Sequence, residues 1–396
     1  MFSGFVRRQQ REILFHILAN LHCGSVQVTM PDGSQHSFAG GHPGPDTDVH
    51  FHDDRAIGRL LRDGKMGFCE SFMDGDISCS NLPAFIELAA RHDQYFDQKL
   101  RANMLRKWGL QLFHRLRHNS KKGSARNIAH HYDLGNAFYQ AWLDPSMTYS
   151  SAVFEREDEE LSDAQHNKYR RLALLADIQP DDHVLEIGCG WGGFALYAAG
   201  EIGATVTGIT ISKEQFAYAQ SAVAAAGLDD KITLKLMDYR DLDGKFDKII
   251  SIEMFEAVGQ RYWPLYFATL SRVLKQGGRA ALQSITITDA AFQSYRDQPD
   301  FIQRYIFPGG MLPSLPVLEE PLAKAGLQMV SETGFADDYA RTLDQWRHRF
   351  NRSWPALATG KFDERFKRMW NLYLAYCEGG FRSGLIDVKQ MLLTHR

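Results

Sequence analysis

At 396 residues the chain can bury a large core and is expected to hold two domains, or one domain with a sizeable extension. Hydrophobic content of 44% and charged content of 23% are those of a globular protein, and a net charge of −3 gives no reason to expect nucleic acid as a partner. No apolar run approaches the ~18 residues that cross a bilayer. The five cysteines (Cys23, Cys69, Cys79, Cys189 and Cys377) lie far apart and read as reduced thiols of a cytoplasmic protein.

In chain order, the opening "MFSGFVRRQQREILFHILANL" is amphipathic, with charges close together and no small-residue cleavage site, which makes it a poor signal peptide. "GSVQVTMPDGSQHSFAG" predicts a hairpin about a Pro-Asp-Gly turn. "HFHDD" around His50 and His52 reads as a polar loop, and no metal is expected there because no second pair of ligands follows at zinc spacing. "NLPAFIELAARH" predicts a helix. From Tyr95 to Arg126 the character changes: nine Lys or Arg face one acid, Asp97. Leu100, Met104, Leu105, Trp108, Leu112, Phe113 and Leu116 recur there at helical spacing. A basic amphipathic stretch of this kind suits an anionic membrane surface, at roughly 1 kcal/mol per cation near the headgroups; it equally suits a helix laid on a neighbouring domain. The polar "HNSKKGSAR" that ends it reads as a linker.

From about Pro180 strand and helix patterns alternate. "HVLEIG", "ATVTGITIS", "KITLKLMD", "FDKIISIEM" and "RAALQSITI" predict five strands, with helices between them that include "GGFALYAAGEIG" and "YWPLYFATLSRVLKQGG". "GLQMVSETGF" and Ile386 to Leu393 are candidates for a sixth and a seventh strand. Alternation with right-handed crossovers gives an α/β, doubly wound, mostly parallel sheet.

The first strand runs into "VLEIGCGWGGFALYAA", whose Gly188, Gly190 and Gly193 have the spacing of a dinucleotide-binding turn. Glycines there let the backbone approach a ligand at the carboxyl edge of the sheet. The acids separate the readings. A nicotinamide site expects a carboxylate roughly 20 residues on, at the end of the second strand, and "GITIS" has none. Instead Glu186 lies inside the first strand and Asp238 closes the third, where an adenine amino group could be held. Trp191 would crowd a pyrophosphate, whereas S-adenosylmethionine has no phosphate and carries a cationic sulfonium that a carboxylate suits.

"VLEIGCGWGGFALYAA", "GITISKEQ", "MDYRDL", "SIEMFEAVG" and "YIFPGGMLPS", with the upstream "HYDLGNAFYQAWLDPSMTYSSAVF", closely resemble the cyclopropane fatty-acid synthase and mycolic-acid methyltransferase family from about Ile128 onward. The resemblance implies a class I methyltransferase-like seven-stranded sheet with a smaller N-terminal α+β lipid-binding domain. The boundaries are then 1–117 for the lipid- and membrane-binding domain, 118–127 for the linker and 128–396 for the methyltransferase domain. It further implies S-adenosylmethionine-dependent alkylation of double bonds in unsaturated phospholipid acyl chains, by an enzyme peripheral on the inner face of the membrane, and a homodimer. For the cofactor it implies Tyr149 and Ser150 at the methionine end. Glu186, Gly188, Cys189, Gly190, Trp191 and Gly192 then form the turn. Thr210, Ser212 and Gln215 lie beside the ribose, with Asp238, Tyr239 and Arg240 about the adenine.

The family's synthases hold a bicarbonate ion as base, and the matching positions here are Ser151, Glu256, Gln283, Ile285 and Tyr339. Two of them depart from the family pattern: Ser151 stands for a cysteine and Gln283 for a histidine. Both can donate hydrogen bonds, but neither brings charge or a near-neutral titrating group. The base site is therefore either a weakened bicarbonate cradle or an arrangement of Glu256 with Tyr339, and methyl transfer without assured ring closure is favoured over cyclopropanation. Glu253 reads as cofactor or structural support. The aromatic "YWPLYF" and "HHYDLGNAFYQAW" stretches are either core or faces for a cation. Three alternatives stay open: a nicotinamide oxidoreductase, a non-catalytic lipid-binding homologue, and a methyltransferase for a soluble small molecule.

Overall fold

The computed structural model describes residues 2–93, 95–96, 134–358 and 360–396. The basic stretch of Tyr95 to Arg126, apart from Tyr95 and Phe96, and the linker after it lie outside these. Two compact units result, and they are not consecutive in the chain. The first takes in the described residues up to Phe96 together with Asp297–Ile306 and Trp346–Leu385; the second holds the described remainder. The expected contiguous division at 118–127 therefore differs from the structure, because two later segments fold with the first unit.

In the first unit, helix α1 (Phe2–Leu18) precedes strands β1 (Cys23–Thr29), β2 (Gln35–Ala39) and β3 (His42–Phe51). The Pro-Asp-Gly turn joins β1 and β2 as an antiparallel hairpin, with Gly33 at φ +83. Strand β3 runs parallel to β1 and buries Val49 and Phe51 at alternate positions. His50 thus lies in a strand rather than the polar loop expected, and His52 just beyond it bonds Ser78 at 2.8 Å. Helix α2 (Asp54–Asp74) starts on Asp53, whose carboxylate caps the amide of Arg55, and stops at Gly75 with φ +83. The short β4 (Ile77–Ser78) completes a sheet of order β2-β1-β3-β4, and α3 (Leu82–Arg91) follows its Asn81 cap.

The second unit contributes α4 (Asn136–Gln140), α5 (Leu161–Ala176), β5 (His183–Ile187), α6 (Gly193–Tyr197), β6 (Thr205–Thr210), α7 (Lys213–Ala226), β7 (Ile232–Leu236) and β8 (Phe246–Ile252). After these come α8 (Trp263–Val273), β9 (Leu274–Ile287), α9 (Asp289–Asp297), α10 (Pro316–Lys324), β10 (Leu327–Gly334), α11 (Ala336–Leu357), α12 (Glu364–Arg382) and β11 (Ile386–His395). The expected helix "YWPLYFATLSRVLKQGG" ends at Val273, and its last five residues open the long β9 instead. The sheet has seven strands in the order β10-β11-β9-β8-β5-β6-β7, parallel from β7 to β9 and antiparallel at β11 and β10.

Both faces of this sheet are covered, which is why its inner strands read as nearly continuous apolar runs. Leu185, Ile249 and Leu282 pack on one side with Phe267 and Leu270 of α8. Their neighbours Val184, Ile250 and Ala281 pack on the other with Leu172 and Ala176 of α5. Each fully buried aliphatic side chain contributes about 1.5–3 kcal/mol before entropy is counted. Helix α12, inserted in the chain between β10 and β11, belongs to the first unit and packs on α3 and α2 within it. The approach is close: a Cβ on Gly379 would lie 2.7 Å from Cγ2 of Ile86. Among the described residues no helix is long and apolar enough to cross a membrane.

Candidate active site

Parallel strands β5, β6 and β8 end together, and the chain must turn sharply after each. After β5 it does so with Gly188 at φ +84, Gly190 at +53 and Gly192 at +94, values that a side chain disfavours. The amides of Gly188 and Cys189 both donate to the Ile209 carbonyl at 2.9 Å, which ties the turn to β6 before α6 begins at Gly193. Above this rim lies a cavity of about 170 Å³, more than ten times what one water needs. Glu186, Gly188, Cys189, Gly190 and Trp191 line it from the turn, and Tyr149 and Ser150 from the segment after α4. Thr210, Gln215, Asp238, Tyr239 and Arg240 complete the expected set.

Two expected cofactor residues stand apart from that lining. Ser212 caps α7, its hydroxyl accepting the Gln215 amide at 3.3 Å, and Gly192 caps α6. Thr210 donates to the Gln215 side chain at 2.9 Å, which fixes both. The Arg240 guanidinium folds back on Asp238 in a two-pronged pair at 2.7 and 2.6 Å. Trp191 is held by its indole N–H on Asn136 at 2.8 Å and by Tyr139, 5.1 Å away ring to ring.

Glu186 gives the cavity its preference. It is buried, and its Oε2 has no hydrogen-bond partner among the described residues. Burial pushes its carboxyl up to about 8, against the opposing pull of Lys168 and the Ala195 amide. An orphaned buried carboxyl oxygen beside glycine backbone and aromatic rings suits a cationic ligand without phosphate, and S-adenosylmethionine fits the residues present.

A second cluster meets the cavity at the end of β8. Glu253, which lines the cavity, has φ +48, an uncommon conformation for a residue with a side chain. Its Oε1 accepts the Ser151 amide and the Gln283 side-chain amide, both at 2.8 Å, and its Oε2 accepts the Tyr339 hydroxyl at 2.5 Å. Gln283 also donates to the Ser151 carbonyl at 3.3 Å and accepts from Gln390 at 3.0 Å, so its NH2 must face Glu253. The Ser151 hydroxyl turns away, donating to the Ala152 carbonyl at 2.9 Å. Fully buried Lys168 donates to Ser150 Oγ at 2.6 Å and to Gln165 at 2.7 Å. Burial lowers its pKa, while Glu253, Asp144 and Glu186 favour its charged form.

Glu256 is placed differently from expectation. It is not among the residues lining the cavity; its Oε1 accepts the Ile285 amide at 2.5 Å and the Ser284 hydroxyl at 3.0 Å, while Oε2 is buried without a partner among the described residues. Burial first and the Glu253 charge second push its carboxyl up to about 8, so it is mostly a neutral acid at pH 7. Tyr339 joins Glu253 rather than Glu256. Of "YWPLYF", Trp263, Tyr266 and Phe267 are core, packed about Phe255. The aromatic side chains at the cavity are Tyr149, Tyr169, Trp191, Phe194 and Tyr239. Sequence reasoning underrated Glu253 although it stands at the sheet edge three residues before Glu256, and it had no signal for Lys168 in the middle of α5.

Comparison with known proteins agrees with this geometry. Residues 119–391 match the family described as mycolic acid cyclopropane synthetase. The tuberculostearic acid methyltransferase of Mycobacterium tuberculosis is 41% identical over 87% of this chain and 82% of its own length. The cyclopropane-fatty-acyl-phospholipid synthase of Escherichia coli is 36% identical over 88% and 87%. A solved mycolic acid cyclopropane synthase, in complex with SAH and CTAB, superposes with a TM-score of 0.61 at 31% identity, covering 68% of this chain and 97% of that one. Sheet order, glycine turn and carboxylate-lined cavity define an S-adenosylmethionine-dependent methyltransferase. Within that class, the chain belongs to the mycolic acid cyclopropane synthetase family of lipid-modifying enzymes.

Proposed function

We propose that the enzyme adds a one-carbon unit to a carbon–carbon double bond of an unsaturated phospholipid acyl chain, through a carbocation and loss of a proton. The observation that carries this reading is the pairing of Glu186 with Glu253 in one cavity. One buried carboxyl suits a cationic cofactor, and a second is gripped by donors where a cationic product-forming centre would be discharged. S-adenosylmethionine, when bound, supplies an electrophilic methyl group: the alkene π pair forms the new carbon–carbon bond, and sulfur keeps the pair of the bond that breaks. Tyr149, Trp191 and Tyr239 offer ring faces that tolerate positive charge. No nucleophilic side chain is required, so positioning and electrostatics supply the rate enhancement.

A methylated or methylene-branched chain is the product favoured here, and the relative at 41% identity carries a methyltransferase name. Ring closure is the second reading, favoured by the synthase name of the relative at 36%. The nine cations from Tyr95 to Arg126 support delivery of the lipid from an anionic membrane surface. The test is transfer of a radiolabelled methyl group into phospholipid vesicles. Label is expected in monounsaturated phosphatidylglycerol and absent from its fully saturated counterpart; equal labelling of both, or of neither, contradicts the proposal.

A further inference from the structure

We infer that Glu253 is the base of the reaction, a carboxylate of the chain itself standing where an exchangeable anion would otherwise be needed. The inference rests on the alkene-alkylation reading above and names the group that completes it. The Ser151 amide, the Gln283 NH2 and the Tyr339 hydroxyl all end on Glu253. The Ile285 amide ends on Glu256, and the Ser151 hydroxyl on the Ala152 carbonyl. The amide, hydroxyl and NH2 donors at the positions matched to a bicarbonate cradle thus all end within the protein, and Glu256, whose Oε2 has no partner among the described residues, does not line the cavity.

The backbone is arranged for this. Glu253 directly follows β8 with φ +48, and its own amide donates to the Gln283 carbonyl at 2.7 Å. Main chain and side chain are therefore both locked to β9. A residue without a side chain would take that φ freely; a glutamate held there, half-buried and triply bonded, points to a use for its carboxylate. Oε1 accepts two hydrogen bonds and Oε2 one, which leaves a lone pair on Oε2. The carboxylate lines the same cavity as Glu186. Burial raises its pKa and so strengthens it as a base, with its three donors and the Lys168 charge opposing that shift. In the step itself, Oε2 takes one proton from carbon next to the cationic centre or from the new methyl group. The electron pair of that C–H bond stays in the lipid as the new carbon–carbon bond, and Glu253 later returns the proton to solvent.

The experiment compares the wild-type enzyme with Glu253→Gly and Glu253→Gln. Glycine accepts φ +48 and opens a space lined by the three donors; glutamine keeps the volume without the charge. Wild-type turnover on monounsaturated vesicles is expected to be the same in carbon-dioxide-free buffer and with added bicarbonate. Both variants should lose at least ~100-fold in turnover, within the range of a general base, while binding S-adenosylhomocysteine within about threefold of wild type. Formate or bicarbonate should restore turnover in Glu253→Gly only. Without any lipid, the same anions should raise the melting temperature of Glu253→Gly and leave wild type unmoved. Variants that turn over like wild type, a wild-type enzyme that needs bicarbonate, or a Glu253→Gly protein that binds neither anion would overturn the inference. A wild-type enzyme inactive on every unsaturated lipid would overturn the functional reading instead, and the anion-binding measurement still decides the role of the site.

Discussion

Gly188→Val removes S-adenosylmethionine binding from a folded enzyme. The position has φ +84, which costs a residue with a Cβ about 1–2 kcal/mol and a β-branched one more. A Cβ there would lie 2.8 Å from Cγ and 2.9 Å from Cβ of Met254. Met254 itself lines the cavity, so the displaced side chain moves into space that the cofactor needs. The Gly188 amide also holds the turn to Ile209, so strain passes directly into the loop. Together these should weaken binding at least ~100-fold, or about 2.7 kcal/mol. Isothermal titration with S-adenosylhomocysteine, beside a circular dichroism spectrum unchanged from wild type, reads the effect. Gly190→Ala is the informative partner: its φ is +53, but among the described residues nothing lies within 4 Å of the added Cβ, so the loss should be smaller. Equal binding by Gly188→Val and wild type would mean that the turn does not hold the cofactor.

S-adenosylmethionine binding should also tighten as pH rises toward 8, and Glu186→Gln should flatten that dependence. In the empty protein burial holds the Glu186 carboxyl protonated below about 8. A cationic ligand favours the ionised form and pulls the pKa down, so at lower pH binding must first expel a proton. Affinity therefore falls as pH drops below about 8, by at most about tenfold per unit, and each binding event releases a proton. Lys168 already favours ionisation from one side; the ligand adds to that field. The ligand titrates too, but its own groups contribute equally in Glu186→Gln, so the difference between the proteins isolates Glu186. Titrations in buffers of different ionisation enthalpy count the protons. Identical pH profiles for the two proteins would remove Glu186 from the cofactor site.

The parts of this enzyme that were legible in its sequence are those where local pattern and structure share one cause. Five apolar runs separated by helical patterns became β5 to β9, because a sheet covered on both faces must be apolar at successive positions. The glycine turn and Glu186 were legible for the same reason: short-range geometry dictates both. The discontinuous first unit was not. The apolar face of α12 declares that it must be buried, but periodicity cannot say that its cover is α2 and α3, almost 300 residues earlier in the chain. His42–Phe51 was partly hidden by "HFHDD", whose polar residues end a strand paired with β1.

In the site, the positions Ser151, Gln283 and Tyr339 were identified, and the carboxylate they hold was not. Two acids three residues apart at the end of β8 look equivalent in a sequence. What separates them is the positive φ of Glu253, which turns its side chain to the cavity, and the Ile285 amide, which holds Glu256 to β9. Backbone reversal of that kind has no compositional signature when glycine is absent.

The most direct test of the account is the product made from S-adenosylmethionine carrying a carbon-13 methyl group and vesicles of a defined monounsaturated phospholipid, read by mass spectrometry and proton NMR. The account predicts an acyl chain heavier by one carbon that carries the label, with vinyl protons persisting and no strongly upfield ring signals. Label found on the headgroup, or no label in the lipid at all, would contradict it.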